Sequence, residues 1–483
     1  MLDPGTAMRV KGVTPRPTAY VGHRLLVPTL RVADVVPVLA EAAKFKGWEL
    51  VQDETFAPWQ VTLPDPDKLE GRITLGQTRF VIDILPGQAS SAPDAWVLLQ
   101  LARANSGLDS VAGVGLDHIV TTEPLWQTHP LWQTHPLWQT HPLWQTHGYA
   151  DRAPVAYVGP APLRHAKISR LRPVVAIMDS GCGSHPWLDG VVREDVTLDG
   201  QPIGYTDPAT DPETRPDQDG PLDGAIDANS GHGTFIAGLI HQACPDADIL
   251  SWRIVNSAGP IAESDVLASL AKVAELVRRY TEGRTDGQRI DVLSLSLGFF
   301  HETAEDAVVE SQLRTMLRAL STMGTCVVCA AGNESTARPR FPAAFGPWRT
   351  VPPTPSSPTE LPIVAVGALN PNRTEALFSN TGPWVRAWAP GAAVMSTMPC
   401  FQGGLLPMAR VTYEGRTREG LDPDDFRAQF ALWNGTSFSA PLVAGRIAAN
   451  LLVDMPLTED EHRATAVSRG WKALAQHTDI VQP

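Results

Sequence analysis

The sequence predicts an α/β protein in which helices cover both faces of a mostly parallel central sheet, preceded by a small α+β module. Beyond about residue 160, apolar runs alternate with longer helical patterns. The runs are largely apolar and show no strict alternation with polar residues, which is typical of parallel strands buried on both faces. The predicted strands span residues 174–178, 248–254, 290–297, 325–331 and 361–369. The predicted helices span residues 235–242, 264–280, 303–322 and 437–453.

The composition of the chain argues against some classes of function. The chain has 483 residues, with 39 basic and 52 acidic side chains and a net charge of −13. This acidic balance argues against nucleic-acid binding, which needs a basic surface. The apolar runs all fall short of about 18 residues, so we expect no membrane-spanning helix and no membrane partner.

Two features favour a cytoplasmic location. The N-terminal 20 residues have no apolar core of a secretory signal peptide. Five cysteines in a chain of 483 residues do not resemble a disulfide framework. A non-standard secretion route is the alternative.

Changes in composition divide the chain into four regions. Residues 1–19 are punctuated by proline, glycine and arginine and predict a flexible arm. Residues 20–122 show the order β-α-β-β-α-β of a ferredoxin-like module. Residues 123–160 predict an extended linker, and residues 161–483 form the larger α/β domain.

The linker contains a hexapeptide, Pro-Leu-Trp-Gln-Thr-His, which occurs four times in tandem between Pro124 and His147. Its period of six fits neither a helix nor a simple strand, and the regular prolines favour an extended chain. Two functional alternatives are a Trp-rich site for a partner protein and metal binding by the histidines of the repeats. These histidines are His129, His135, His141 and His147.

Three polar motifs follow or open the apolar elements of the larger domain. Asp179-Ser180-Gly181 comes directly after the first strand. Ser-Gly-His-Gly-Thr, which contains His232, opens one helix, and Asn-Gly-Thr-Ser-Phe-Ser-Ala-Pro, which contains Ser437, opens another. Ligand sites in parallel sheets lie beyond the carboxyl ends of the strands. An Asp, a His and a Ser at one sheet edge make up a nucleophilic acyl-transfer site, in which the His deprotonates the Ser and the Asp orients the His.

A fourth motif, Ala330-Ala331-Gly332-Asn333, follows a predicted buried strand. An acyl-transfer site needs hydrogen-bond donors for the oxyanion of its tetrahedral intermediate. The side-chain amide of Asn333 is one candidate donor. The backbone N–H of Ser437, at a helix N-terminus, is the second.

Together these motifs resemble the subtilisin-like serine proteases, or subtilases, in which Asp, His and Ser follow each other in the same chain order. The resemblance covers about residues 166–454 and implies a subtilisin-like three-layer fold. It also implies a serine endopeptidase, which hydrolyses peptide bonds via an acyl-enzyme. The implied catalytic residues are Asp179, His232 and Ser437, with Asn333 in the oxyanion hole.

The resemblance further implies how a polypeptide substrate binds in extended form. A peptide would pair with the strand that contains Leu297. Its P1 side chain, on the acyl side of the cleaved bond, would enter an S1 pocket whose base is the turn at residues 341–344. Glu334 is placed to accept a basic or polar P1 side chain, with a solvated loop carboxylate as the alternative. The implied substrate-binding residues are Ser296, Leu297, Gly298, Ala330, Ala331, Gly332 and Glu334.

Subtilases often begin with a ferredoxin-like propeptide that blocks the cleft. The resemblance therefore implies that residues 20–122 are a propeptide-like module, inhibitory in cis. A permanent accessory domain is the alternative.

Other interpretations stay open at this point. A silent subtilase-like protein could hold a peptide without cutting it, and the same triad could transfer an acyl group to a peptide amine. No cofactor is required. The acidic loop at residues 203–229 suits Ca²⁺, although such charge runs are usually solvated. Cys326 and Cys329 lie three residues apart on one strand and therefore point to opposite faces, so no metal site is assigned.

Overall fold

The structure is a computed structural model that describes residues 1–68, 70–88, 91–122, 152–257, 259–303, 311–349 and 357–482. The PLWQTH repeats lie outside the described residues, and with them the predictions made for their histidines and tryptophans. An N-terminal module, residues 1–122, packs against a larger domain that is described from residue 152.

The N-terminal module is an antiparallel sheet with two helices on one face. Its elements are β1 (Tyr20–Pro28), α1 (Val32–Lys44), β2 (Trp48–Gln52), β3 (Trp59–Pro64), β4 (Arg72–Ile84), α2 (Ala95–Ser106) and β5 (Gly115–Thr122). The strand order is β5-β1-β4, and β2 and β3 lie end to end along the outer edge of β4. The helices cover Leu25, Phe80 and Leu116 of this sheet.

The sequence analysis missed one strand, β3. Val61 and Leu63 are buried and alternate with exposed Gln60 and Thr62, so a strand signal of period two was present. The buried pair belongs to the core of the larger domain and not to that of its own module. This strand therefore helps to hold the two parts of the chain together.

The prediction of a flexible arm at residues 1–19 is wrong. Leu2 and Val13 are buried in the core of the N-terminal module. The Leu2 N–H donates to the Thr18 carbonyl over 2.8 Å, and Trp96 Nε1 donates to the Met8 carbonyl over 2.9 Å. The apolar residues of this segment follow no period, so only the packed structure gives them a partner.

The larger domain is built on seven parallel strands. Its strands and helices are β6 (Ala153–Pro154), β7 (Val174–Asp179), β8 (Val192–Arg193), α3 (His232–Ala243), β9 (Asp248–Arg253), β10 (Ile261–Ala262), α4 (Glu263–Thr281), β11 (Val292–Leu295), β12 (Leu297–Gly298), α5 (Gln312–Thr322), β13 (Cys326–Ala330), β14 (Val364–Leu369), β15 (Ala387–Pro390), β16 (Val394–Thr397), β17 (Arg410–Tyr413), β18 (Arg416–Glu419), β19 (Phe430–Trp433), α6 (Thr436–Val453) and α7 (Glu459–Leu474). The parallel strands run in the order β15-β14-β13-β11-β7-β9-β8.

Helices cover both faces of this sheet, as the apolar runs predict. Alternate residues of β7 enter two different cores: Val175 and Ile177 face the side of α3 and α6, and Ala176 and Met178 face the side of α4 and α5. The result is the expected three-layer α/β architecture.

Residues 304–310 of the predicted helix at residues 303–322 lie outside the described residues. The described part of that prediction is α5, which begins at Gln312, where the Ser311 hydroxyl accepts the Arg314 N–H over 3.3 Å as an N-cap. Helix α6 is long and apolar enough, by length and composition, to cross a membrane, and 67% of it is buried inside the protein. Its apolar side chains pack in the core beside α3, which accounts for that composition.

The N-terminal module docks through its last strand. β5 pairs antiparallel with β12, Thr121 opposite Gly298 and Thr122 opposite Leu297. Further along, it also pairs with β10. Asp117 of β5 accepts the backbone N–H of Ser264 over 3.0 Å in the first turn of α4. A carboxylate at this position satisfies an unpaired helix N–H and complements the helix dipole.

Removing side-chain volume from the buried sheet should destabilise the larger domain. Leu250 of β9 is fully buried, whereas Leu377 is 89% exposed. We expect Leu250→Ala to lower the free energy of unfolding by about 2–5 kcal/mol, and the matched Leu377→Ala change to alter it by less than about 0.5 kcal/mol. Urea unfolding followed by tryptophan fluorescence measures both. Equal losses in the two variants would contradict this assignment of the core.

Candidate active site

Asp179 and His232 form a buried pair at the carboxyl edge of the sheet. Asp179 is the last residue of β7, and His232 is the first residue of α3. The Asp179 Oδ1 atom lies 2.6 Å from His232 Nδ1, and both side chains are fully buried. The Ser180 N–H also donates to Oδ1, over 2.8 Å. A carboxylate that accepts from Nδ1–H leaves Nε2 as the basic nitrogen of the ring.

Aromatic packing holds the His232 ring in place. Trp433 and Phe438 lie against it, with ring centroids 5.7 and 5.4 Å away. Phe235 stands where the family resemblance expects a second histidine, and its ring packs on Phe438 at 4.5 Å. This difference is therefore one of packing beneath the site.

Ser437 lies in the first turn of α6, beside the break between β11 and β12. The Ser296 hydroxyl donates to the Ser437 carbonyl over 2.9 Å, and the Ser437 Oγ lies 3.5 Å from the Ser296 carbonyl. Among the described residues, His232 Nε2 has no hydrogen-bond partner. The hydrogen bond from the Ser437 hydroxyl to His232 Nε2 is therefore not formed in this rotamer of Ser437. Such catalytic hydrogen bonds often form only when substrate is bound.

Asn333 faces the same helix terminus. Its Oδ1 accepts the Thr436 backbone N–H over 2.9 Å and the Thr436 hydroxyl over 3.0 Å. Because a backbone N–H can only donate, the oxygen of the amide must face Thr436. The Nδ2 group is therefore turned away from Thr436, the residue before Ser437.

The expected substrate-binding residues lie on two sides of one cleft. Ser296, Leu297 and Gly298 form the edge to which β5 is paired. Ala330 ends the buried strand β13, and Ala331 follows it. The Gly332 N–H donates to the Thr436 hydroxyl over 3.0 Å, which ties the facing wall to the helix that carries Ser437.

The expectation that Glu334 accepts a basic P1 side chain is not supported by its contacts. Its Oε1 lies 2.8 Å from Arg340 Nη1, and its Oε2 accepts from Asn380 Nδ2 over 2.5 Å. Both oxygens are engaged within the protein. Asn380 is 46 residues away in the sequence, and neither Arg340 nor Asn380 belongs to a motif, so sequence reasoning missed both.

Glu213 is a second residue that the sequence analysis misjudged. It belongs to the acidic loop, yet it is buried beneath the pair of Asp179 and His232. Its carboxyl group lies 2.5 Å from the Ser180 hydroxyl and 2.5 Å from that of Thr234. Burial, which outweighs these hydrogen bonds, raises the pKa of Glu213 to about 8.

The other carboxylates of the acidic loop close its turns. Asp207 accepts the Ala209 N–H, Asp223 accepts the Ala225 N–H, and Asp227 accepts the N–H groups of Gln218 and Asp219. These are hydrogen bonds within the loop and define no cation cage. Calcium binding stays a prediction.

The predicted linker ends earlier than residue 160. Arg152 is buried and donates to the carbonyls of Ser230, Ile226 and Asp227, in the loop before His232. Its guanidinium also lies 4.7 Å from the ring centroid of Trp433. Arg152 belongs to no motif in the sequence, so its contacts with this loop were not predicted.

Cys326 and Cys329 are both buried and lie on opposite faces of the sheet, one in each core. Burial raises the pKa of the Cys326 thiol to about 12 and that of Cys329 further. Neither thiol is placed or ionised to hold a metal.

A three-layer α/β fold thus carries an Asp–His pair, a serine and an asparagine at one sheet edge. Comparison with known proteins identifies the family of the chain. The model of the Subtilase family matches residues 172–475. The chain therefore belongs to the subtilase family, and the larger domain has the subtilisin-like fold.

Individual curated relatives match the chain at low sequence identity. An intracellular serine protease of Paenibacillus polymyxa is 26% identical over 265 residues, covering 50% of this chain and 61% of that protein. The major intracellular serine protease of Bacillus subtilis is 25% identical over 290 residues, covering 57% of this chain and 66% of that protein. The solved structure of a cold adapted subtilisin-like serine proteinase is 19% identical, with a TM-score of 0.37 over 65% of this chain and 88% of that one.

The buried carboxyl group of Glu213 should make stability depend on pH. Because its pKa is raised to about 8 from an ordinary value of 4.5, its contribution is complete below about pH 4.5 and is lost between there and about pH 8. Glu213→Gln replaces it with a neutral group of the same shape. We expect the thermal midpoint of the variant to rise relative to wild type over that range and to level off above it. Parallel pH profiles of the two proteins, from differential scanning calorimetry, would contradict the assignment.

Proposed function

We propose that the protein is a serine endopeptidase that hydrolyses peptide bonds through an acyl-enzyme. One observation carries the proposal. A strand of the same chain, β5, lies in extended form on the edge of Leu297 and Gly298, and this edge leads through Ser296 to Ser437. A peptide bound in the same way brings a backbone carbonyl to the serine.

In the proposed reaction, the residues around Ser437 act in two steps. His232 Nε2 takes the Ser437 proton as Oγ attacks the carbonyl carbon, and Asp179 stabilises the imidazolium through Nδ1–H. The Asn333 Nδ2 group and the Ser437 N–H donate to the oxyanion. His232 then protonates the departing amine. In the second step it takes a proton from the water that attacks the acyl-enzyme, and Ser437 regains its proton.

We further propose that the N-terminal module inhibits this activity in cis. β5 occupies the hydrogen-bonding edge that an extended substrate needs, so substrate and module exclude each other. The contact between β5 and the larger domain also includes buried charged groups. His118 of β5 lies 2.5 Å from Glu263 and 2.5 Å from Glu302 of the larger domain, and the ring of His301 lies 5.1 Å from its own.

A reducing, cytoplasmic location is proposed on two grounds. The five cysteines are all free thiols. The names of two relatives describe them as intracellular proteases. Fractionation of the native cell with an antibody to the chain tests the location.

An activated nucleophile at Ser437 should react with a fluorophosphonate probe. We expect intact mass spectrometry to show one adduct on the full chain and none on Ser437→Ala, and we expect only the unsubstituted protein to cleave casein. The His118→Gln variant, in which the module is held more weakly, serves as a second test protein. Absence of a Ser437-dependent adduct in both the wild type and this variant would overturn the proposed activity.

The charge cluster at His118 should make the release of the module pH-dependent. The neighbouring carboxylates outweigh desolvation and raise the pKa of His118 to about 10, against about 6.5 for a free histidine. Its contribution to docking is therefore complete below about pH 6.5 and is lost as the pH rises through about 10. The charges on His301 and His118 outweigh desolvation and hold the pKa of Glu302 well below its usual range. Protonation of Glu302 in strong acid weakens its contact with His118, so docking weakens again there.

The rate of fluorophosphonate labelling reports how often the cleft is open. We expect His118→Gln to label more than about tenfold faster than wild type near pH 6, because the change leaves two buried carboxylates without their cation. This ratio should fall towards one at pH 10. His23→Gln, at an exposed position of β1, is the control and should match wild type throughout. A ratio that does not change with pH would contradict the proposal.

A further inference from the structure

Arg340 lies between the two walls of the proposed S1 pocket. A Cβ atom placed on Gly332 would lie 2.5 Å from the Arg340 Cδ atom, and one placed on Gly298 would lie 2.9 Å from Nε. The arginine side chain thus lies close against both glycines, in the space between the two walls. The Arg340 side chain is only 5% exposed. It directly precedes Phe341 and Pro342, which begin the turn expected at the base of the pocket.

The register of β5 defines the position of Arg340 relative to the cleaved bond. Thr121 lies opposite Gly298 and Thr122 opposite Leu297, so an extended peptide in this register places its next residue opposite Ser296. Ser296 is hydrogen-bonded to Ser437. The residue opposite Ser296 therefore has its carbonyl beside the nucleophile and occupies the P1 position. Thr122 and Thr121 mark the P2 and P3 positions.

Arg340 faces the side of the peptide on which the P1 side chain projects. Its Nη2 group donates to the Thr121 hydroxyl over 2.7 Å and to the Gly298 carbonyl over 2.9 Å. Side chains two residues apart on a strand lie on the same face. The P1 side chain therefore points towards the same guanidinium that contacts the P3 residue.

In the ion pair of Arg340 and Glu334, Arg340 is the member that contacts the docked strand, which favours an anion at P1. Glu334 already accepts from Arg340 and Asn380, so it offers little to a basic side chain, which would also meet the guanidinium. An apolar P1 side chain offers the guanidinium no hydrogen-bond acceptor. A carboxylate accepts from the guanidinium with both partners charged, and this hydrogen bond is stronger than the one that a neutral amide oxygen would accept.

We propose that Arg340 makes this site select peptides with glutamate or aspartate at P1. This inference rests on the proposed endopeptidase function and specifies its substrate class. It also reverses the expectation that Glu334 accepts a basic or polar P1 side chain, because Glu334 is the ion-pair partner that holds Arg340 in place.

A series of chromogenic peptides tests the inference on the full chain. The substrates are acetyl-Ile-Val-Thr-Thr-X-p-nitroanilides with glutamate, glutamine, leucine or lysine at X. Their first four residues copy residues 119–122, and glutamate at X matches residue 123 of the sequence. Ratios of kcat/KM within one protein do not depend on the docked module, since it competes equally with every peptide. Labelling of Ser437 by fluorophosphonate counts the competent sites.

We expect kcat/KM for glutamate to exceed that for glutamine by at least about tenfold, with lysine last. Arg340→Gln should bring the ratio of glutamate to glutamine close to one, and Arg340→Lys should retain part of the preference. Glu334→Gln should reduce the preference, because it removes the carboxylate that holds Arg340 in place.

The outcomes separate the two proposals. Ser437-dependent labelling with no preference for glutamate, or a preference that Arg340→Gln leaves unchanged, overturns the role of Arg340 and leaves the endopeptidase proposal intact. Absence of labelling and of turnover in every protein overturns the endopeptidase proposal, and the P1 inference falls with it.

Discussion

The antiparallel pairing of β5 with β12 is the interaction on which the arrangement of the two parts depends. β12 has only two residues, and without a partner its edge would present unpaired N–H and C=O groups beside Ser437. Backbone groups of this kind need hydrogen-bond partners when water is excluded. The N-terminal module supplies them here. The same groups are those that an extended peptide substrate would need, so one short edge links docking, inhibition and substrate binding.

Buried charges strengthen this arrangement because each depends on a partner from the other part of the chain. His118 lies between two carboxylates of the larger domain, and Asp117 accepts hydrogen bonds from the first turn of α4. Separation of the two parts would leave these groups unpaired unless water reached them, and unpaired buried charge is costly. The interface is therefore held by a few desolvated contacts in addition to apolar area.

Much of the fold could be predicted from the sequence because its signals are local. The strands β7 and β13 are largely continuous apolar runs, and the motif of Asp179 directly follows the first of them. The arm, β3 and Arg152 were missed or misjudged for a common reason. Each is stabilised by residues far away in the chain: the arm by α2, β3 by the core of the larger domain, and Arg152 by the loop before His232.

The sequence by itself determined which chemistry the protein carries: an aspartate, a histidine, a serine and an asparagine, each in a short motif at the end of a strand or the start of a helix. Only the tertiary structure decided how the surroundings modify that chemistry. It buries Glu213 beneath the pair of Asp179 and His232, and it joins Glu334 to Arg340 across the pocket. A motif depends on neighbours in sequence, whereas burial and ion pairing depend on neighbours in space, and folding alone brings those together.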